Sequence, residues 1–238
     1  MDVIPVSAAK RVRARLCRAP SGPVRVVHRG AHAVYLDVGG WCVGVVDQHA
    51  IQLPCALGAR TDSLAGIGAG PAYVRAGVLH LSGVPLVIGR LRHVGVPALR
   101  PGRAAHRSEP AAPLDTDIVA RLVGAGDGLT PRGDDVLCGW LALHRAAGIP
   151  TPAVDEAIRM SLQHTTLLSA TLLDCAMKGE VIPQFAAYVT ALGTTAEAVA
   201  ERDLLAVGHS TGAGLLEGAG WAAAEIGATV GTPIGVSA

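Results

Sequence analysis

The spacing of apolar and polar positions changes character near the middle of the chain. From Val24 to about Val94 the apolar runs are short, rich in β-branched residues and interrupted by Gly and Pro, a pattern typical of β-strands. Glycine-containing turns separate neighbouring runs at Asp37–Cys42, Arg75–Val78 and Leu81–Val84. This half is therefore predicted to be mostly antiparallel β-structure, either a meander or a barrel-like sheet.

The second half has the periodicity of helices. The predicted helices are Leu114–Val123, Pro131–Ala147, Pro152–Lys178, Ile182–Leu192, Thr195–Val207 and Ala213–Ile226. Residues 100–113 contain three prolines and no apolar period, as expected of a linker or a mobile loop. The sequence thus predicts an α+β fold, with a β-rich region over 1–99, a connecting segment over 100–113 and a helical bundle over 114–238.

Composition narrows the range of functions. Half of the residues are hydrophobic, the mean hydropathy is +0.40 and the formal net charge is +1, so a nucleic-acid binder is not expected. No apolar stretch is long enough for a membrane helix, and the N-terminal residues lack the apolar core of a signal peptide. Five cysteines occur without a C-x-x-C pair. We therefore expect a cytoplasmic protein with reduced core thiols rather than disulfides or a zinc site.

The segment Gly124–Asp135, GAGDGLTPRGDD, is the first candidate for chemistry. Thr130 is predicted to cap the helix that follows, with Pro131 at its first position. Glycines 124, 126 and 128 can adopt positive φ, which turns backbone N–H groups toward one point. Such a loop at a helix N-terminus would hold a phosphate or a carboxylate, through Gly126, Gly128 and Thr130.

The residues that follow Pro131 could complete this site. Arg132 adds a positive charge, and Gly133 costs about 1 kcal/mol inside a helix, which favours close approach of a ligand or of a neighbouring backbone. Asp134 and Asp135 point about 100° apart on a helix. One could complement the helix dipole while the other faces the ligand or holds Mg²⁺ on a phosphate. The alternative is a tight connection between helices, with acids that only complement the dipole.

A second glycine turn, Gly208–Gly218, repeats the pattern of 129–139: a hydroxyl residue, Gly, two variable positions, an apolar pair, one more position and Gly. Two such helix N-termini could converge on one ligand, with His209 as a hydrogen-bond donor or proton carrier and Ser210 beside it. A further polar patch consists of His164, Thr165 and Thr166, with Ser169 one turn later. It could also bind the ligand, or its hydroxyls could bond to carbonyls four residues earlier in the helix.

Together, the Gly-Leu-Thr-Pro-x-Gly-Asp-Asp string, the Thr-Thr-x-x-Ser helix and the late Gly-His-Ser-x-Gly turn resemble the family of AllH, the third subunit of oxamate carbamoyltransferase. Three positions depart from the family pattern: Asp127 where Pro is common, Arg132 where Ser is common, and Gly214 where an acid is expected. The resemblance implies work with partner subunits in moving a carbamoyl group between oxamate and carbamoyl phosphate, in purine (allantoin) nitrogen catabolism.

The leading hypothesis is therefore a subunit of a carbamoyltransferase-type complex that binds an anion of the carbamoyl phosphate or oxamate class. Asp134, Asp135 and His209 are its candidate catalytic residues, and Mg²⁺, if one is used, would be held by Asp134 or Asp135. Two other hypotheses stay open: a non-catalytic binding or scaffold subunit, and a stand-alone enzyme that acts on another small carboxylate or amide.

Overall fold

A computed structural model describes residues 3–100 and 114–230, with side chains up to residue 227. The chain divides into two compact units, residues 1–94 and 95–238. The first is built mainly of strands and the second of helices, which confirms the predicted α+β fold. Apart from Arg100, the predicted connecting segment 100–113 lies outside the described residues.

Eight strands of the first unit form a closed barrel in the order β1-β5-β4-β3-β2-β6-β7-β8. In the strand Ala33–Asp37 the alternate residues Val34 and Leu36 are fully buried, as the two-residue period requires, whereas Cys42–Val46 and Ala56–Ala59 are buried at every position. The bounds are β1 Ile4–Ala9, β2 Gly22–Arg29, β3 Ala33–Asp37, β4 Cys42–Val46, β5 Ala56–Ala59, β6 Ala72–Arg75, β7 Val78–Leu81 and β8 Val84–Arg92.

The barrel confirms the three predicted hairpin turns and corrects the idea of a simple meander. Residues 39–40, 76–77 and 82–83 all have the positive φ that tight hairpins need. However, β4 pairs with β5 in parallel, and β1, which was not predicted, closes the barrel by pairing in parallel with β8. Two short helices complete the unit, α1 at Lys10–Arg18 and α2 at Ala65–Gly68.

The second unit is a helical assembly. Its helices are α3 Thr116–Leu122, α4 Arg132–Ala146, α5 Pro152–Ser161, α6 Leu167–Met177, α7 Pro183–Ala191, α8 Glu197–Leu205 and α9 Thr211–Val230. Helix α4 is buried on almost every side from Gly133 to Ala146, so it forms the centre of the unit. None of the helices in the described ranges is long and apolar enough to cross a membrane.

Helices α4 and α9 pack so closely that backbone contacts backbone. A Cβ on Gly139 would lie 2.0 Å from the carbonyl oxygen of Leu215, and a Cβ on Gly218 would lie 1.8 Å from that of Val136. Because only glycine permits this approach, the repeated glycines of the two segments fix how these helices pack.

One long predicted helix is interrupted in the structure. The single helix predicted over Pro152–Lys178 is two helices, separated by a 3₁₀ turn at Leu162–His164 and an extended Thr165. The break occurs because Thr166 caps α6 by accepting a hydrogen bond from the backbone N–H of Ser169. Four of the five cysteines are buried, as predicted, but Cys17 is exposed.

Candidate functional site

The loop 124–131 joins α3 to α4 and has the backbone geometry of an anion-binding turn. Gly124, Gly126 and Gly128 have φ values of +77°, +117° and +88°. The backbone N–H groups of residues 126–130 have no acceptor within the described ranges, and residues 126–128 are exposed. A Cβ on Gly126 would lie 2.8 Å from the backbone nitrogen of Arg132. The absence of a side chain at 126 therefore leaves this N–H open beside the loop.

Thr130 does not cap α4 as predicted. The helix begins at Arg132, and Pro131 occupies the capping position without a side-chain hydrogen bond. The Thr130 hydroxyl instead lies 3.1 Å from the hydroxyl of Thr211, the first residue of α9. The N-termini of α4 and α9 thus meet at a pair of hydroxyls, and both present the positive end of a helix dipole to this place.

Asp134 connects three segments of the unit. One carboxylate oxygen accepts the backbone N–H of Gly124 at 2.9 Å, and the other accepts the hydroxyls of Thr165 and Ser169, the latter at 2.6 Å. The residue is fully buried. Since both oxygens are already bonded to protein donors, the observed role of Asp134 is to hold the loop, the break at 165 and helix α6 in place.

Asp135 differs from its neighbour because it is not satisfied. It is 3 % exposed, and its Oδ2 is buried with no hydrogen-bond partner in the described residues. Burial raises the pKa of Asp135 to about 7; a hydrogen bond from Thr211 and the charge of Arg132 oppose this rise, while the charge of Asp134 adds to it. A carboxyl of this kind is largely neutral below pH 7, so it does not repel an anion bound at the helix N-termini.

The glycines that follow the two turns serve helix packing. A Cβ on Gly133 would lie 2.1 Å from the carbonyl oxygen of Leu122, so the neighbour that requires this glycine is the backbone of α3. Gly214, where an acid was expected, lies against Asp135, with 2.7 Å between an added Cβ and the Cβ of Asp135. A longer side chain at 214 would therefore displace Asp135.

Arg132 lies at the edge of a groove of about 620 Å³ between α4, α7, α8 and α9. Its guanidinium donates to Glu217 of α9 at 2.5 Å, and both side chains are partly exposed. Glu217 and Thr211 were not predicted as site residues. Neither shows a local signal, because their relevance follows only from the pairing of α4 with α9.

The remaining predicted site residues differ in their exposure and in their contacts with the loop. His209 is exposed and Ser210 is partly exposed, and both lie just before the first turn of α9. His164, the last residue of the 3₁₀ turn, is also exposed. His164 contributes its backbone, since a Cβ on Gly124 would lie 2.2 Å from its carbonyl oxygen. Thr166 donates to the carbonyl oxygen of Leu129 at 2.6 Å, so this polar patch helps to fix the conformation of the loop.

The structure offers little for a metal ion. Within residues 3–100 and 114–230, no group of three or more His, Cys, Asp or Glu side chains is arranged to hold one. Both oxygens of Asp134 are bonded to protein donors, and burial favours the neutral form of Asp135. These two residues therefore do not fit the predicted Mg²⁺ site.

The model of a family described as oxamate carbamoyltransferase subunit AllH matches residues 122–223, which include the loop, the break at 164–166 and the late glycine turn. This segment is therefore similar to the AllH family. The match covers somewhat less than half of the chain and confirms the resemblance seen in the sequence. No curated protein and no solved structure gives a significant match.

Proposed function

We propose that the protein is a subunit of an oxamate carbamoyltransferase-type complex and that it binds an anionic ligand where α4 and α9 begin. The observation that carries the proposal is the meeting of two helix N-termini at Thr130 and Thr211, within the segment that matches the family. Two helix dipoles and several unpaired backbone N–H groups, with Arg132 as the first residue of α4, favour a phosphate or a carboxylate.

The contribution to carbamoyl transfer is positioning and electrostatic stabilisation. Free backbone N–H groups of residues 126–130 would hold the ligand oxygens, and Arg132 would supply the charge. His209, exposed beside the first turn of α9, would donate a hydrogen bond from the open side. Neutral Asp135 would line the inner side, and Asp134 would keep the loop in its binding geometry.

Arg132 gives the sharpest test, because Glu217 competes for its guanidinium. Titration of carbamoyl phosphate and of oxamate by calorimetry, with the chain alone and with its partner subunits, should give about ten-fold weaker binding for Arg132→Ala. Glu217→Gln should bind more tightly than the wild type, because it releases the guanidinium. Arg121→Ala, an exposed arginine of α3, is the matched control and should change nothing.

A second variant tests the backbone. Gly126→Ala places a methyl group against the N–H of Arg132 at a position with positive φ, so binding should be lost while the fold is kept. If neither anion binds to the wild type or to its complex, or if Glu217→Gln weakens binding, the anion site does not exist.

A non-catalytic scaffold subunit is the second candidate, and one observation favours it. The glycines at 133, 139, 212 and 218 all lie against backbone carbonyl oxygens, so packing alone accounts for much of the family's glycine pattern. In that case Asp135→Asn and His209→Gln would leave the reconstituted complex fully active, whereas Gly218→Ala would prevent its assembly. Activity assays and size-exclusion chromatography of the same samples separate the two functions.

A further inference from the structure

A second cavity of about 740 Å³ lies between α7 and α8, away from the turns at 124–131 and 208–211. Small side chains from both helices make it concave, because alanines leave space between the helix backbones. Its walls include Arg100, Gln184, Thr190, Thr194, Val199 and Asp203, with alanines of both helices between them. The size is within the range of small-molecule sites.

Three polar groups of this cavity lack strong partners. Arg100 forms no ion pair or hydrogen bond with the described residues. The nearest cation to Asp203 in an ion pair is the adjacent Arg202, whose Nε is 3.9 Å from the carboxylate. The side-chain oxygen of Gln184 is buried with no donor in the described part of the chain, which is costly unless a donor arrives.

The hydroxyl groups of the two threonines in the wall already donate hydrogen bonds to the backbone. Thr190 donates to the carbonyl oxygen of Ala186 at 2.9 Å, and Thr194 donates to that of Ala191 at 2.6 Å. Their hydroxyl protons are therefore directed into the protein. The groups left to recognise a ligand are one cation, one anion and one neutral acceptor, above a floor of methyl groups.

This set is complementary to a zwitterion with a small apolar body. A carboxylate would pair with Arg100, and an ammonium group would pair with Asp203 and, once the Gln184 amide rotates to expose its oxygen, donate to that oxygen. A short aliphatic side chain would cover Val199, which is 49 % exposed in the structure. We propose that the cavity between α7 and α8 binds a free amino acid with a small aliphatic side chain, as a ligand distinct from the anion of the proposed function.

Calorimetric titration of the full chain with L-valine tests this proposal, with a dissociation constant on the order of 1 mM or tighter expected. Isovalerate, which lacks the ammonium group, and isobutylamine, which lacks the carboxylate, should each bind at least about ten-fold more weakly. If isovalerate or isobutylamine binds as tightly as valine, or if valine produces no heat at concentrations well above this range, the proposal is wrong.

Variants assign the contacts. Arg100→Gln and Asp203→Asn should each weaken valine binding by about ten-fold or more, whereas Arg121→Gln, which is remote from the cavity, should leave it unchanged. Gln184→Met removes the acceptor at similar size and should also weaken binding; Gln184→Asn, which keeps an amide, replaces it if the Met variant does not fold. Unchanged binding in Arg100→Gln or in Asp203→Asn would overturn the assignment. Carbamoyl phosphate binding should be unaffected by all of these variants.

Discussion

Replacing Asp135 with Asn should change how the stability of the helical unit depends on pH. Burial raises the pKa of Asp135 from 3.8 to about 7. Between these two values the folded protein keeps a proton that the unfolded chain has released, so the free energy of unfolding falls as pH rises through this range. Above pH 7 the ionised carboxyl lowers the stability by a constant amount.

The size of this effect follows from the two pKa values. Each pH unit between them corresponds to about 1.4 kcal/mol, which gives an upper limit of about 4 kcal/mol at pH 8. Asp135→Asn removes the dependence, because an amide does not ionise. The new amide also brings an unsatisfied N–H₂ group, which costs about 1–3 kcal/mol at every pH. The difference between variant and wild type should therefore move in favour of the variant as pH rises from 4 to 7.

Urea unfolding followed by tryptophan fluorescence at several pH values from 4.5 to 8.5 measures this difference. Trp41 lies in the barrel unit, so a Trp41→Phe background leaves Trp140 and Trp221 to report on the helical unit. Asp127→Asn is the control, since Asp127 is exposed and keeps its solvation on folding. A stability difference between Asp135→Asn and its parent that is the same at pH 4.5 and pH 8.5 would refute the reasoning.

Three further variants test the packing and the buried network. Gly218→Ala should lower the free energy of unfolding by about 3 kcal/mol or more, because its Cβ would meet the carbonyl oxygen of Val136 at 1.8 Å; Gly66→Ala, with open space around it, should change it little. Asp134→Asn should cost about 2–4 kcal/mol in urea unfolding, because an amide N–H₂ would face N–H or O–H donors. Burial opposes ionisation of Glu225, yet hydrogen bonds from His144 and Trp140 lower its pKa from the ordinary value of 4.5. The stability it adds is therefore present at neutral pH and is lost progressively as pH falls below 4.5. Glu225→Gln should therefore destabilise by about 1–2 kcal/mol at pH 7 and by less at pH 3.

Local patterns were enough to predict the strand-rich character of Val24 to Val94, the hairpin turns and the positive φ of the loop glycines. Each of these depends on residues within a few positions of one another. The parallel closure of the barrel was missed because β1 and β8 are separated by more than 70 residues, and parallel pairing leaves no mark in either strand alone.

The sequence identified the candidate residues, but it did not predict which contacts each of them makes. Asp134 and Asp135 are adjacent in sequence and have opposite environments, one saturated by donors from 31 and 35 residues away and one facing α9 without a partner for Oδ2. Sequence spacing predicts that the two side chains point in different directions, but not which helix each of them contacts. For the same reason the pairing of Arg132 with Glu217, 85 residues later, could not be predicted.

The glycine contacts between α4 and α9 also restrict how the proposed site can respond to a ligand. With carbonyl oxygens of Val136 and Leu215 seated against Gly218 and Gly139, neither helix can slide or rotate past the other without a steric clash. The two helix N-termini then behave as one rigid frame. Any closure over a bound anion must come from the turns at 124–130 and 208–210, so hydrogen exchange on ligand binding should slow in these turns and remain unchanged along the paired helices.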